Sequence, residues 1–266
     1  MEETNLFNNT DFSLNEESST NDILNYIMEQ IFITLPRTEY ALKGGYLLSK
    51  ILPAASRQTV DIDFSILKKS YYENVKILLN AIGTTLMNNN VISDFKIKDT
   101  IEETQSGGID FHLIKGRAMG IDVGLHSLNY DIIEWNINNK DVNGFSIERM
   151  LADKISAIYS RKRFRRPKDL YDFYILTDNF DVKIKTLLDY INKKTELDIK
   201  ASPLQDFILT EYEKAYSKLI VNSSINAEIN KPEFNKIIDR LWIFECSLFN
   251  NPQGEWIHNE RIIKDI

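Results

Sequence analysis

Two neighbouring stretches decide how this chain folds: Lys43-Gly44-Gly45-Tyr46-Leu47-Leu48 and Arg57-Gln58-Thr59-Val60-Asp61-Ile62-Asp63-Phe64-Ser65-Ile66. Their patterning predicts a short strand over 39–43, a helix over 44–52 and a second strand over 59–67. Successive side chains of a strand point to opposite faces. Asp61 and Asp63 therefore share one face, and Ile62, Phe64 and Ile66 share the other, the core side. Two carboxylates so placed suit a hard divalent ion. Mg2+ takes oxygen ligands, and a pair of ions roughly 4 Å apart can hold triphosphate oxygens and activate an attacking hydroxyl. A Gly-Gly pair where a strand turns into a helix lets the backbone approach a phosphate, whose charge the helix N-terminus favours. Lys43 and Arg57 add positive charge nearby. Taken singly, Asp-x-Asp also fits a solvated strand face and Gly-Gly a plain turn; their joint order points to nucleotide chemistry.

A third carboxylate is available in Gly120-Ile121-Asp122-Val123-Gly124-Leu125, where Asp122 shares its face with two glycines that leave room beside it. Asp110, in Ile109-Asp110-Phe111, competes for that role, and Asp122 also fits a surface acid balancing Lys115 or Arg117. Further on, a helix predicted over 147–161 has the apolar stripe Ile147, Met150, Leu151, Ile155 and Ile158, and Lys154 falls within it. Such a lysine either snorkels to water or meets an anion, a nucleotide phosphate being one. Next comes Arg161-Lys162-Arg163-Phe164-Arg165-Arg166-Pro167-Lys168, a basic run suited to a phosphate-rich partner or simply to solvent. Pro167 marks the start of a helix over 168–178, on which Asp169 and Asp172 lie on one side with Phe173 and Leu176. Asp169 complements the helix dipole and Asp172 pairs with Lys168, or an acid here orients Lys154 or assists deprotonation of an acceptor hydroxyl.

The 266 residues carry 39 acidic and 32 basic side chains, a formal charge of −7, and are 43% hydrophobic, which excludes wholesale disorder. Cys246 is the sole cysteine, so an internal disulfide and a cysteine-cluster metal site are excluded; in Trp242-Ile243-Phe244-Glu245-Cys246 it reads as core. Three scattered histidines, His112, His126 and His258, argue against a His-rich zinc site. No apolar run reaches the roughly 20 residues of a membrane span, and Met1-Glu2-Glu3-Thr4-Asn5 does not open like a secretory signal, so cytoplasmic residence without a membrane partner is expected. Residues 1–18 read as a flexible arm, 19–145 as an α/β domain and 146–266 as a helical one. The boundary falls at 141–146, where Asn143-Gly144 signals a turn and Ser146 a helix cap. Helices are predicted over 22–35 and 71–87, and strands over 92–103, 108–115, 119–125 and 132–137. Helices over 181–193, 202–221 and 232–249 follow, and the chain reads helical to its end.

The blocks Lys43-Gly44-Gly45, Arg57-x-Thr59-x-Asp61-x-Asp63, Glu148-Arg149-Met150-Leu151-Ala152-Asp153-Lys154 and Arg166-Pro167-Lys168-Asp169-Leu170-Tyr171-Asp172, in that order, resemble the AbiEii/AbiGii abortive-infection toxin family over residues 38–178. The resemblance implies the nucleotidyltransferase superfamily with its DNA polymerase β-like core. The expected fold is α+β, a mixed sheet with flanking helices followed by a helical bundle. The implied reaction is Mg2+-dependent transfer of a nucleoside monophosphate from a nucleoside triphosphate to an acceptor hydroxyl on RNA, since characterised members modify the acceptor end of tRNA. The catalytic set is then Asp61, Asp63, Asp122, Lys154 and Asp169, with Asp61, Asp63 and Asp122 as metal ligands. Lys43, Gly44, Gly45, Arg57 and Thr59 are the expected nucleotide contacts. Arg161, Lys162, Arg163, Arg165, Arg166 and Lys168 are the expected nucleic-acid contacts. The family further implies an antitoxin with a winged-helix domain encoded alongside. Where the family has Gly-Gly-Thr this chain has Gly44-Gly45-Tyr46, so a phenol stands where a hydroxyl would touch phosphate. That departure keeps a degenerate RNA- or protein-binding module in view. Asp-x-Asp by itself also fits a metal-dependent glycosyltransferase, which leaves the Gly-Gly helix and Lys154 unexplained.

Overall fold

The computed structural model describes residues 13–57, 59, 61–99, 108–115, 117–125, 132–137, 139–159, 167–194, 206–221 and 231–265. The chain divides into two compact units, one of residues 1–47 and 59–144, the other of 48–58 and 145–266. The fold is α+β, as the sequence implies.

In the first unit Ser19 caps α1 (Thr20–Thr34): its hydroxyl accepts from the Asp22 N–H while the Asp22 carboxylate accepts from the Ser19 N–H. The helix buries Ile23, Leu24, Ile27, Met28 and Ile31. After β1 (Tyr40–Lys43), α2 (Gly44–Ile51) and β2 (Asp61–Ile66) come α3 (Tyr72–Asn88), β3 (Asp94–Asp99), β4 (Gly108–Lys115), β5 (Arg117–Leu125), β6 (Ile132–Ile137) and β7 (Lys140–Phe145). The seven strands form one mixed sheet in the order β3-β4-β5-β2-β1-β7-β6, with β2 at its centre, antiparallel to β1 and parallel to β5. The alternation of β2 is realised: Ile62 and Phe64 are wholly buried, Asp61 is exposed and Asp63 half-buried.

The strand β7 corrects the sequence reading, which places a turn at Asn143-Gly144. Gly144 instead pairs with Leu42 across a parallel junction of β7 and β1. A Cβ at Gly144 would stand 2.9 Å from Leu47 Cδ2 and 3.1 Å from Trp135 Nε1, so the glycine serves close packing and not a turn.

In the second unit Ser146 caps α4 (Ile147–Ile158) by accepting from the Arg149 N–H. Then follow α5 (Pro167–Asn179), β8 (Val182–Lys183), α6 (Ile184–Lys194), α7 (Asp206–Val221), α8 (Phe234–Asn250), β9 (Glu255–Ile257) and β10 (Ile262–Lys264). Helix α4 packs on α5 and α6, and α5 on α7 and α8. Phe244 stands edge-on to Phe173 and Trp256, at 5.5 and 5.0 Å between ring centres. The Thr177 carbonyl accepts from both Arg240 and Trp256. The unit is not helical to its end: β8, β9 and β10 form a three-stranded sheet. Strands of two and three residues are too short to show alternation, which is why the sequence hides them. Cys246 is exposed on α8 and not part of the core. Residues 1–12 of the predicted arm lie outside the described residues, as do Arg161, Lys162, Arg163, Arg165 and Arg166. Among the described residues no helix is long and apolar enough to cross a membrane.

Candidate active site

Each unit carries a cluster of the charged residues that the sequence singles out. In the first unit the register of the sheet lines them up. Lys43 of β1 pairs with Asp63 of β2, Asp63 with Asp122 of β5, Asp122 with Asp110 of β4, and Asp110 with Lys98 of β3. Residues in register occupy the same face, so these five positions share one face of the sheet. Asp122 is on the strand next to β2, whereas Asp110 is a strand further off, about 10 Å from β2 at the usual spacing. One step along the strands a second row, Ala41, Ser65, Gly124 and Gly108, is made of small residues only.

The chain turns from β1 into α2 at Gly44, whose φ of +66° is a backbone conformation that favours glycine. A Cβ there would lie 3.0 Å from Asp63 Cγ and would run into Asp63 Oδ2, so that carboxylate rests against the bare Cα of the strand-to-helix turn. Asp61 is held by Thr59, whose hydroxyl donates to the Asp61 carbonyl at 3.0 Å and accepts from the Asp61 N–H at 3.3 Å. Thr59 thus fixes the entry to β2. Tyr46 is buried, and its phenol donates to Asn25 Oδ1 of α1 at 3.2 Å. Burial pushes that phenol well above its ordinary pKa. The phenol that follows the two glycines is thus turned to α1.

In the second unit Arg57, Lys154, Asp169 and Asp172 form a buried ionic cluster. Arg57 grips Asp172 with two parallel bonds, Nε to Oδ1 at 2.9 Å and Nη2 to Oδ2 at 3.0 Å. Lys154 Nζ lies 2.8 Å from Asp172 Oδ2 and 3.1 Å from Asp169 Oδ1. All four side chains are buried, Asp172 completely. The lysine in the apolar stripe of α4 therefore meets anions and does not snorkel. Burial works to raise the pKa of Asp172, but Arg57 and then Lys154 outweigh it and hold the carboxyl below its usual range. Burial likewise works to lower the pKa of Lys154, yet Asp172 and Asp169 overcome it and the ammonium is pushed up to about 12. Two cations and two carboxylates cancel, which is how four charges tolerate burial together.

Sequence reasoning brings Asp172 forward only as an alternative, pairing with Lys168 or orienting Lys154. The structure gives it Lys154 and, across 115 residues of chain, Arg57, while Lys168 is exposed. The one sequence signal was its place three residues after Asp169; nothing local announces the arginine. Among the described residues no group of three or more His, Cys, Asp or Glu side chains stands ready to hold a metal ion; by their chemistry Asp61 and Asp63, carboxylates alternating on an accessible strand with a glycine beside one of them, suit a hard cation. The second cluster offers no such face, because its carboxylates already accept from protein cations.

A family model for the nucleotidyl transferase AbiEii toxin of type IV toxin–antitoxin systems matches residues 27–244. No curated protein matches the chain. Among solved structures the chain is similar to JHP933 from Helicobacter pylori, at 15% identity and a TM-score of 0.46, with 88% of this chain and 91% of that one covered. It is also similar to MenT4, a nucleotidyltransferase toxin from Mycobacterium tuberculosis, at 14% identity and a TM-score of 0.48, with 88% and 84% covered. A third likeness is to the polyadenylate synthase of a Megavirus, at 13% identity and a TM-score of 0.41, with 95% of this chain and 48% of that one covered.

Proposed function

The chain belongs to the AbiEii nucleotidyltransferase toxin family, and from that premise we propose that it moves a nucleoside monophosphate from a Mg2+-bound nucleoside triphosphate to an acceptor hydroxyl on RNA, tRNA above all. Membership makes it a nucleotidyltransferase and removes the glycosyltransferase reading of Asp-x-Asp. The observation that supports the rest most strongly is the Asp63 carboxylate seated against Gly44, because it joins a phosphate-binding type of turn to a metal-binding type of strand.

Asp61 and Asp63 would hold Mg2+, with Asp122 as the third ligand, its register beside Asp63 supporting it over Asp110. The ion, when bound, draws charge from the phosphate oxygens and lowers the cost of in-line displacement. Gly44 and Gly45 let the first turn of α2 approach the phosphates, and its N–H groups favour their charge. Thr59 keeps Asp61 in place through its two backbone bonds. Lys154 and Arg57 would offer phosphate cationic N–H groups, some of which now serve Asp169 and Asp172. Asp169 then orients Lys154 through the hydrogen bond it accepts from the ammonium. Lys168 and the basic residues before it, Arg161 to Arg166, are the proposed contact for the RNA backbone, which needs charge more than sequence-specific groups. A winged-helix antitoxin is the proposed partner in the cell, and abortive infection the proposed setting.

The test is incubation of purified protein with total tRNA, Mg2+ and each of the four α-labelled nucleoside triphosphates, beside the Asp61→Ala, Asp63→Ala double variant. Label passing to RNA with the wild type alone is expected and names the base. No label from any triphosphate with folded protein would overturn the RNA-directed reading and favour a binding module.

A further inference from the structure

The row of small residues beside the acid row has a specific occupant. Gly124 of β5 is not in the left-handed region, so its lack of a side chain serves space and not backbone freedom. A Cβ built there would stand 3.1 Å from Lys43 Nζ and 3.7 Å from Ser65 Oγ. Lys43 starts on β1, two strands away, so its side chain reaches past β2 to set the ammonium beside the bare Cα of Gly124. Ser65, in register with Gly124 on the neighbouring strand, is wholly buried, with a hydroxyl that has no hydrogen-bond partner among the described residues. A buried orphan hydroxyl costs stability that alanine, present at the neighbouring position 41, would not. Its presence marks the surroundings of Gly124 as polar.

We infer that Gly124 is a positioning residue: its missing side chain makes the berth that holds the Lys43 ammonium beside the acid row, where it meets the polyphosphate of the nucleotide. This rests on the nucleotidyltransfer reading above. A larger residue at 124 pushes the ammonium off its berth without touching the carboxylates, and a lysine is flexible enough to yield. The strand itself loses nothing, since a glycine in a strand interior is a weak point and alanine there strengthens it. Gly124→Ala should accordingly lower nucleotide affinity while leaving stability equal or higher, a combination that a merely structural role does not produce.

The experiment is a double-mutant cycle read by calorimetric binding of Mg2+ with a non-hydrolysable triphosphate analogue, together with labelled transfer, in the wild type, Gly124→Val, Lys43→Ala and the double variant. Gly124→Ala and a thermal melt of each protein complete the set. Losing one charge-assisted contact weakens binding about tenfold or more, so Lys43→Ala should do so and Gly124→Val should approach it. In the double variant the loss should be no greater than for Lys43→Ala alone, because both changes remove the same contact. Losses that multiply, or a Gly124→Ala protein that binds as tightly as the wild type, would overturn the inference and leave the nucleotidyltransfer reading intact. A wild type that binds no such analogue, whichever of the four bases it carries, would overturn both.

Discussion

The two charged clusters use the same few residue types to opposite ends. In the second unit Asp172 has Arg57 and Lys154 within bonding distance and no exposure at all, so its charge is spent within the protein. In the first unit Asp63 rests on a glycine and stays half-buried, and Asp61, on the same face, is exposed. A carboxylate buried between protein cations stiffens a core; one beside a glycine on an accessible strand face can be reached by something that arrives. The difference lies in the partners and not in the residue, and removing each acid should cost a different quantity.

The sharpest separation is expected for Asp63→Asn, which should reduce nucleotidyl transfer about a thousandfold while thermal unfolding stays near that of the wild type. Asp172→Ala should do the reverse in kind. Breaking a buried pair by removing one partner costs about 3–5 kcal/mol, visible as a lower urea midpoint, and a variant of unchanged stability would break the comparison. Next in size is Gly44→Ala. An alanine held at positive φ costs about 1–2 kcal/mol, and its Cβ also displaces the Asp63 carboxylate, so stability and transfer should fall together. The smallest effect concerns pH. Asp172 has a depressed folded pKa, so its stabilisation is present above the unfolded value of about 3.9 and is lost as pH falls through the folded one. Lys154 is raised to about 12, so its share is present below its unfolded value of about 10.4 and is lost as pH rises through 12. The gap in unfolding free energy between wild type and Asp172→Asn should therefore be wide at neutral pH and narrow below about pH 4. A gap unchanged at pH 3 would show that the charge of Asp172 is not what stabilises.

Particular residues show how far the sequence carries. The alternation of Asp61-Ile62-Asp63-Phe64 stated both the strand and its buried side, because a period of two is a local property. Lys154 announced itself as an anomaly in the stripe of α4, but not the identity of its anions, since Asp169 and Asp172 arrive on another helix. Asn143-Gly144 looked like a turn because those residues favour turns locally, and only the side chains of Leu47 and Trp135 explain the strand in its place. The short strands β8, β9 and β10 left no periodic trace at all.

By itself, then, the sequence determined the family, from the order of four short blocks, and the α+β class, the strand-turn-helix carrying the two glycines and the acid pair on one strand face, from patterns that are each local. Only the tertiary structure decided that Asp122 lies in register with Asp63, that Arg57 is bound to Asp172, that Tyr46 turns to α1 and that Lys43 lies over Gly124. Each of those depends on strand register or on contacts between distant segments. Pairing of that kind is set by how whole elements pack, and local propensity carries no record of it.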